Sequence, residues 1–424
     1  MFAYTTGGPF GLEEMVTTSG PGLTLVYLLI LPLFWCVPVA LVAAELTGAI
    51  PVEGGFYRWV RRSHGNFWGF LTGWWNWSAS WLLGASYAVL FTDYLAKSFP
   101  ALTGWKHYLV CVALIAVLAF INIRGIQMVG LVATILGISV LAPVLLLCVI
   151  AATKWHTNPF HPMIPPHVPR FQVFGVGLAL GLWLYSGYEQ CSSVAEEIEN
   201  PQKNYPRALA IVVPLSVATY FLPAMLPLAA LGNWQDWNTA YLSTAATLIG
   251  GRWLGLLMTI AAVLCSVSLL NATVLTSTRM PSTMSEDGYL PPVFAAKHPK
   301  YGTPWIAILI SSTIYALLAF QTLAQLLTVY VWLRIAVTML TVLSAWCLRK
   351  TQPLLERPFR IPWGNFGMAY VVIAPLLMSV VALIGSDKFA LKWGPIPVAL
   401  GVVAYFLFPK TKAVVEGSDT STAE

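Results

Sequence analysis

Three carboxylates stand where a carboxylate is costly. Glu13 and Glu14 close the run GGPFGLEE, and Glu189 lies within LWLYSGYEQCSSVAEE (182–197), both runs belonging to apolar segments. An ionised group inside a membrane span costs roughly 3 kcal/mol even on the lenient insertion scale, so such a residue is a functional-site candidate by default. The residue types also break the helix at the first run. Pro9 has no N–H to donate, and Gly7, Gly8 and Gly11 reach backbone conformations closed to other residues. Opened backbone at membrane depth is tolerated only where it is buried in protein or lines a watery cavity. There its free carbonyls and amides, with the carboxylates beside them, become ligands for a charged solute. The chemistry expected is binding of ions or protons. No nucleophile, general base or metal constellation is recognisable, so no enzyme is expected.

Adjacent Glu13 and Glu14 project about 100° apart on a helix, so Glu13 is read as facing inward and Glu14 as facing the external mouth. Arg334, inside VYVWLRIAVTML, needs a buried partner, and an acid of the first or sixth segment would serve, with snorkelling of its long side chain to the interface as the alternative. Glu45 ends the second segment, and Glu196, Glu197 and Glu199 end the sixth, all near the cytoplasmic face. Gating ion pairs with Arg58, Arg61 or Arg207 are expected there, with plain interfacial solvation as the alternative. His156, His161 and His167 fall in a proline-rich loop without a supporting histidine or cysteine motif, and no metal site is expected.

The elements that must position these groups follow from composition. The chain is 58% hydrophobic and 9% charged over 424 residues, with a mean hydropathy of +0.72. Apolar segments recur at roughly 2–19, 22–48, 67–96, 107–123, 127–152, 172–196, 207–231, 253–279, 304–321, 323–348, 367–385 and 393–408, each near the ~20 residues that cross a bilayer as helix. The fold class is an all-α integral membrane protein of about twelve transmembrane helices. Alternate connections carry fifteen and seven Lys/Arg residues, which puts the richer set, and both termini, in the cytoplasm. No cleavable signal peptide is visible. Tryptophans such as Trp59, Trp105, Trp155 and Trp253 fall near the expected interfaces and are read as anchors. The six cysteines stand singly in apolar segments and read as small buried hydrophobes. The net charge of +6 is scattered over short loops, which argues against nucleic acid.

The first and sixth segments are both interrupted by glycine and acid. A matched pair of broken segments points to an inverted-repeat transporter with its site where the breaks meet. The expected divisions are 1–152 for the first inverted repeat, 153–171 for an external loop, 172–350 for the second repeat, 351–408 for two further helices and 409–424 for a polar cytoplasmic tail.

The chain resembles the amino acid, polyamine and organocation transporter superfamily along nearly its whole length. GGPFGLEE, AELTGAIPVEGGFYRWV (44–60), GYEQCSSVAEEIENPQKNYPRAL (187–209), SEDGYLPPVFAAKHPKYGTPWIAI (285–308) and ERPFRIPWG (356–364) carry the likeness. Within it the chain is most similar to the polyamine uptake permeases of plants and protozoa and their bacterial relatives, because Glu13 follows GGPFG and because Tyr188 and Glu189 pair an aromatic with an acid. The resemblance implies two inverted five-helix repeats plus two helices, a plasma-membrane location and a cationic amine substrate. It implies a substrate site of Thr6, Gly7, Gly8, Phe10, Gly11 and Glu13 with Tyr185, Ser186, Gly187, Tyr188 and Glu189. Trp183, Tyr185 or Tyr188 would supply cation–π contact, and Glu45, Arg58, Glu196, Glu197 and Arg334 would gate or couple. Transport would proceed by rocking of the broken helices against the rest.

The rival readings are a permease for neutral or cationic amino acids, whose carboxylate would meet the amides of the first break, and a non-transporting sensor or partner subunit on the same fold. No cofactor is expected. The expected coupling ion is a proton carried by Glu13 or Glu189, with sodium at Ser266, Ser268, Thr273 and Thr276 as the alternative. Besides the solute and the lipid bilayer no partner is indicated, and the sequence carries no signal for oligomeric state. Only MFAYTT precedes the first break, about 9 Å of helix against the ~15 Å of a half-span. Either the natural start lies upstream or part of the intracellular gate is missing.

Overall fold

The computed structural model describes residues 6, 8–52, 54–125, 129–166, 174–190, 192 and 200–408, and every regular element among them is helical. After the first break come α1 (Glu13–Ser19) and α2 (Pro21–Ala49), then the short amphipathic α3 (Phe56–His64). Next are α4 (Asn66–Ser98), α5 (Trp105–Ile123), α6 (Val129–Thr153) and α7 (Val176–Leu184), which ends at the second break. The second half holds α8 (Pro201–Leu231), α9 (Tyr241–Gly250), α10 (Arg252–Ser277), α11 (Arg279–Glu286), α12 (Trp305–Leu318) and α13 (Leu323–Thr351). The chain closes with α14 (Gly364–Ile384), α15 (Lys388–Trp393) and α16 (Pro395–Leu407).

Among the described residues seven helical stretches are long and apolar enough to cross a membrane, and two shorter apolar ones accompany them, Ser139–Thr153 and Trp305–Leu318. The twelve-segment expectation also counts α4 and the two interrupted segments. α4 falls outside the apolar set because its run WWNWSAS is polar and aromatic, yet at 33 residues it is ~50 Å long and mostly buried. A helix surrounded by protein does not have to match lipid. Around it pack α3, α5, α10, α11, α12, α13 and α16. Small residues admit the closest neighbours: a side chain at Gly84 would meet the ring of Tyr315 on α12 at 2.5 Å. Outward, Leu145, Ile211, Leu256, Leu317 and Phe406 are exposed, an apolar surface suited to lipid tails.

Proline placement explains how α2 is tied to the second break. Pro32 has no N–H for the carbonyl of Leu28, and that carbonyl instead accepts the hydroxyl of Tyr185 at 2.7 Å. The next turn, Pro32–Cys36, is a π-turn, in which the carbonyl of Leu33 would look to Pro38 and again find no donor. The hydroxyl of Tyr370 on α14 supplies it. Orphaned backbone in a membrane core must be satisfied, and here two tyrosines do so while fixing α2 against α7 and α14.

Candidate functional site

The two breaks meet. α1 and α2 pack on α7 through glycines that leave no room for a side chain: one at Gly177 would meet the hydroxyl of Ser19 on α1 at 1.9 Å, and one at Gly181 would meet Leu31 on α2 at 2.4 Å. In the first break Gly8 has φ +143° and Gly11 φ +92°, both closed to most side chains. The freed N–H of Gly11 donates to Glu13 Oε2 at 2.8 Å. The carbonyl of Thr6 accepts Tyr220 of α8 at 3.2 Å, and the Thr6 hydroxyl meets that of Ser216 at 2.6 Å. In the second break Gly187 has φ +102°, and the carbonyl of Tyr188 accepts the hydroxyl of Tyr205 at 2.7 Å.

Between the breaks lies a cavity of about 40 Å³. Thr6, Gly8 and Phe10 line it from the first break, Trp183, Leu184 and Ser186 from the second, Leu83 and Tyr87 from α4, and Tyr220, Leu269 and Tyr330 from α8, α10 and α13. Among the described residues, five aromatic side chains and no charged one line it. A second cavity of about 40 Å³ shares Leu83, Tyr87 and Tyr330 with the first. It is otherwise polar, with Asn76 and Ser80 of α4, Gln190, Thr273 and Thr276 of α10, and Arg334 of α13. Each has room for a water or two, far below the ~300–1,000 Å³ of a typical small-molecule site.

Of the residues expected at the site, Thr6, Gly8, Phe10, Trp183 and Ser186 line the first cavity. Gly7, Glu196 and Glu197 lie outside the described residues, as do Glu199, His167 and Cys191. Gly11 backs onto Trp183, and a side chain there would meet the indole at 2.9 Å. Gly187, Tyr185 and Tyr188 are absent from the wall. Tyr185 is turned to α2, its hydroxyl being spent on Leu28. Ser186 accepts the indole N–H of Trp35 at 2.9 Å and donates to the carbonyl of Leu182.

The acids stand behind the cavity. Glu13 is fully buried and accepts Tyr94 Oη of α4 as well as the amide of Gly11. Glu189, 1% exposed, pairs with Arg334, 2% exposed. The side-chain oxygen of Asn76 gathers the amide of Gln190 at 2.6 Å and Arg334 Nη1 at 3.4 Å into the same cluster. Arg334 thus has the buried acidic partner that its position demands, and Glu189 faces this cation instead of the cavity. Glu14 accepts the hydroxyl of Thr239 and lines a recess of about 580 Å³ with Asp93, Lys97 and His107 at the Ser98 end of α4.

At the Asn66 end the ion pairs differ from those expected. Glu45 pairs with Arg349 and Arg357 and accepts the amide of Ile361 at 2.7 Å, because the end of α2 packs on the end of α13. Arg58 and Arg61 of α3 go to Asp287, at 3.0 and 2.8 Å, and the hydroxyl of Tyr57 donates to the same oxygen at 2.7 Å.

Tyr87, Tyr220 and Tyr330 were not foreseen at the site. All three are tyrosines in mid-segment, well away from the ends where aromatic anchors belong, and that position was the available signal.

A family model described as amino acid permease matches residues 1–406. The chain belongs to the amino acid permease family. Its similarity to individual members is spread over the same length. It is 32% identical over 401 residues to a probable polyamine transporter of Arabidopsis thaliana, covering 92% of this chain and 81% of that one. With a polyamine transporter of Oryza sativa subsp. japonica the identity is 33% over 410 residues, 95% and 75% of the two chains. An uncharacterized transporter of Mycobacterium tuberculosis shares 29% over 286 residues, 66% of this chain and 62% of its own. This family member is a multi-pass membrane transporter and not an enzyme.

Proposed function

We propose that the protein carries polyamines or related organic amines across the plasma membrane by alternating access. The observation that carries this reading is the cavity between the breaks, lined by Phe10, Tyr87, Trp183, Tyr220 and Tyr330 and, among the described residues, by no cationic side chain. Aromatic faces attract ammonium groups by ~0.5–2 kcal/mol each. Buried Glu13, three residues from Phe10, supplies negative potential from behind the wall. Relatives that are named polyamine transporters support the same class. The architecture read here is twelve crossings in two inverted five-helix repeats plus two helices, with cytoplasmic termini. The Asn66 end of α4 is then cytoplasmic and the 580 Å³ recess is the external mouth. Coupling is to a proton, and the broken segments rock against the rest.

A second reading is an amino acid permease. Arg334 on the wall of the second cavity favours it, since a guanidinium there would receive a substrate carboxylate.

Uptake into proteoliposomes of putrescine and spermidine, compared with leucine and arginine, tests the two, with Glu13→Gln alongside the wild type. Saturable, preferred amine uptake that is lost in the variant supports the amine reading. Preference for leucine or arginine with the variant still active overturns it.

A further inference from the structure

The two central cavities have a common wall. Leu83 and Tyr87 of α4 and Tyr330 of α13 line both, so these three side chains stand between them. On one side of this partition the surfaces are mostly aromatic. On the other they are hydroxyls and amides, ending at Arg334 one helical turn beyond Tyr330. At about 40 Å³ each, neither cavity holds an extended amine as it stands. Removing the partition would join them into one chamber running along α4.

We infer that Leu83, Tyr87 and Tyr330 set the length of substrate that the transporter accepts. This deepens the proposed function and rests on it for the identity of the substrate. As the site opens to admit a solute, the partition favours a short amine whose ammonium lies among the aromatic rings. A longer, more highly charged amine would have to pass the tyrosines and bring its far ammonium toward the Arg334 guanidinium. Leu83 is the adjustable part, because its half-buried aliphatic side chain has no hydrogen bond to lose.

The test measures kcat/KM in proteoliposomes for a short and a long member of two series, putrescine against spermine and alanine against arginine, for the wild type and Leu83→Ala. Opening a pocket by about one methylene or more changes discrimination by roughly tenfold or more. The long-to-short ratio is therefore expected to rise about tenfold in Leu83→Ala, in whichever series the wild type carries. Tyr330→Leu thins the partition from the opposite helix and must move the ratio the same way, which keeps the inference testable if Leu83→Ala fails to fold. Transport only of the amino acid series would overturn the amine reading while leaving the partition to be judged on that series. An unchanged ratio in both variants, with transport retained, overturns the partition.

Discussion

Replacing one member of the Glu189–Arg334 pair should be far more damaging than replacing both. The two side chains are 1% and 2% exposed, so neither charge has water to fall back on. Removing one partner of such a pair leaves an uncompensated buried charge at a cost of about 3–5 kcal/mol, whereas an apolar or neutral pair of similar volume is often near neutral. With an unfolding entropy of ~2.1 cal/mol/K per residue and 424 residues, the transition entropy is on the order of 0.9 kcal/mol/K. Glu189→Gln, which strands Arg334, and Arg334→Met, which strands Glu189, should then each lower Tm by ~3–6 °C in detergent. The double variant should recover most of that loss, with a coupling energy of at least about 2 kcal/mol. Thermal unfolding followed by intrinsic tryptophan fluorescence measures all three. Single-variant shifts below about 1 °C, or a double variant whose loss is the sum of the singles, would refute the argument. Putrescine uptake by the double variant adds a functional reading. If it persists, Glu189 neutralises Arg334 and is not the countercharge for the substrate.

Tyr94→Phe removes the hydroxyl that donates to buried Glu13; a hydrogen bond to a charged group is worth ~1.5–3 kcal/mol, so amine kcat/KM should fall roughly 10- to 150-fold with folding intact by fluorescence-detected gel filtration. Gly11→Ala combines φ +92° with a side chain 2.9 Å from Trp183. Strain of ~1–3 kcal/mol should lower Tm, and Trp183→Leu in the same chain should restore only the steric part. Asp287→Asn weakens the anchor of α3, where Arg58, Arg61 and Tyr57 converge on one oxygen. Cys347 donates to the carbonyl of Ser63 on α3 and is a built-in reporter: its alkylation should be several-fold faster in the variant, and an unchanged rate would count against the anchoring role.

Several features were legible before any coordinates. Pro9, Gly8 and Gly11 announced the first break because their backbone restrictions are local. The length and apolarity of Leu323–Thr351 and Gly364–Ile384 announced membrane helices for the same reason. The need of Arg334 for a buried acid followed from the cost of an unpaired charge in an apolar span. The pairing of Glu45 was not legible. Arg58 and Arg61 lie nearer to it in sequence than Arg349 and Arg357 do, and only the packing of α2 on α13 selects the distant pair. Tyr185 shows the same limit: an aromatic beside the break suits a solute, yet its hydroxyl is spent on the carbonyl that Pro32 leaves without a donor.

The sequence by itself therefore determined which stretches are apolar enough to cross lipid, where the first helix opens and which ionisable groups must be compensated, because each of these is a property of a few adjacent residues. The tertiary structure alone decided which side chains share a wall and which are spent on one another. Leu83, Tyr87, Tyr220 and Tyr330 come from three helices, and Glu13 and Glu189 are turned to Tyr94 and Arg334. Most of these neighbours are separated by scores to hundreds of residues, and what brings them together is the packing of whole helices on one another, whose geometry no local pattern encodes.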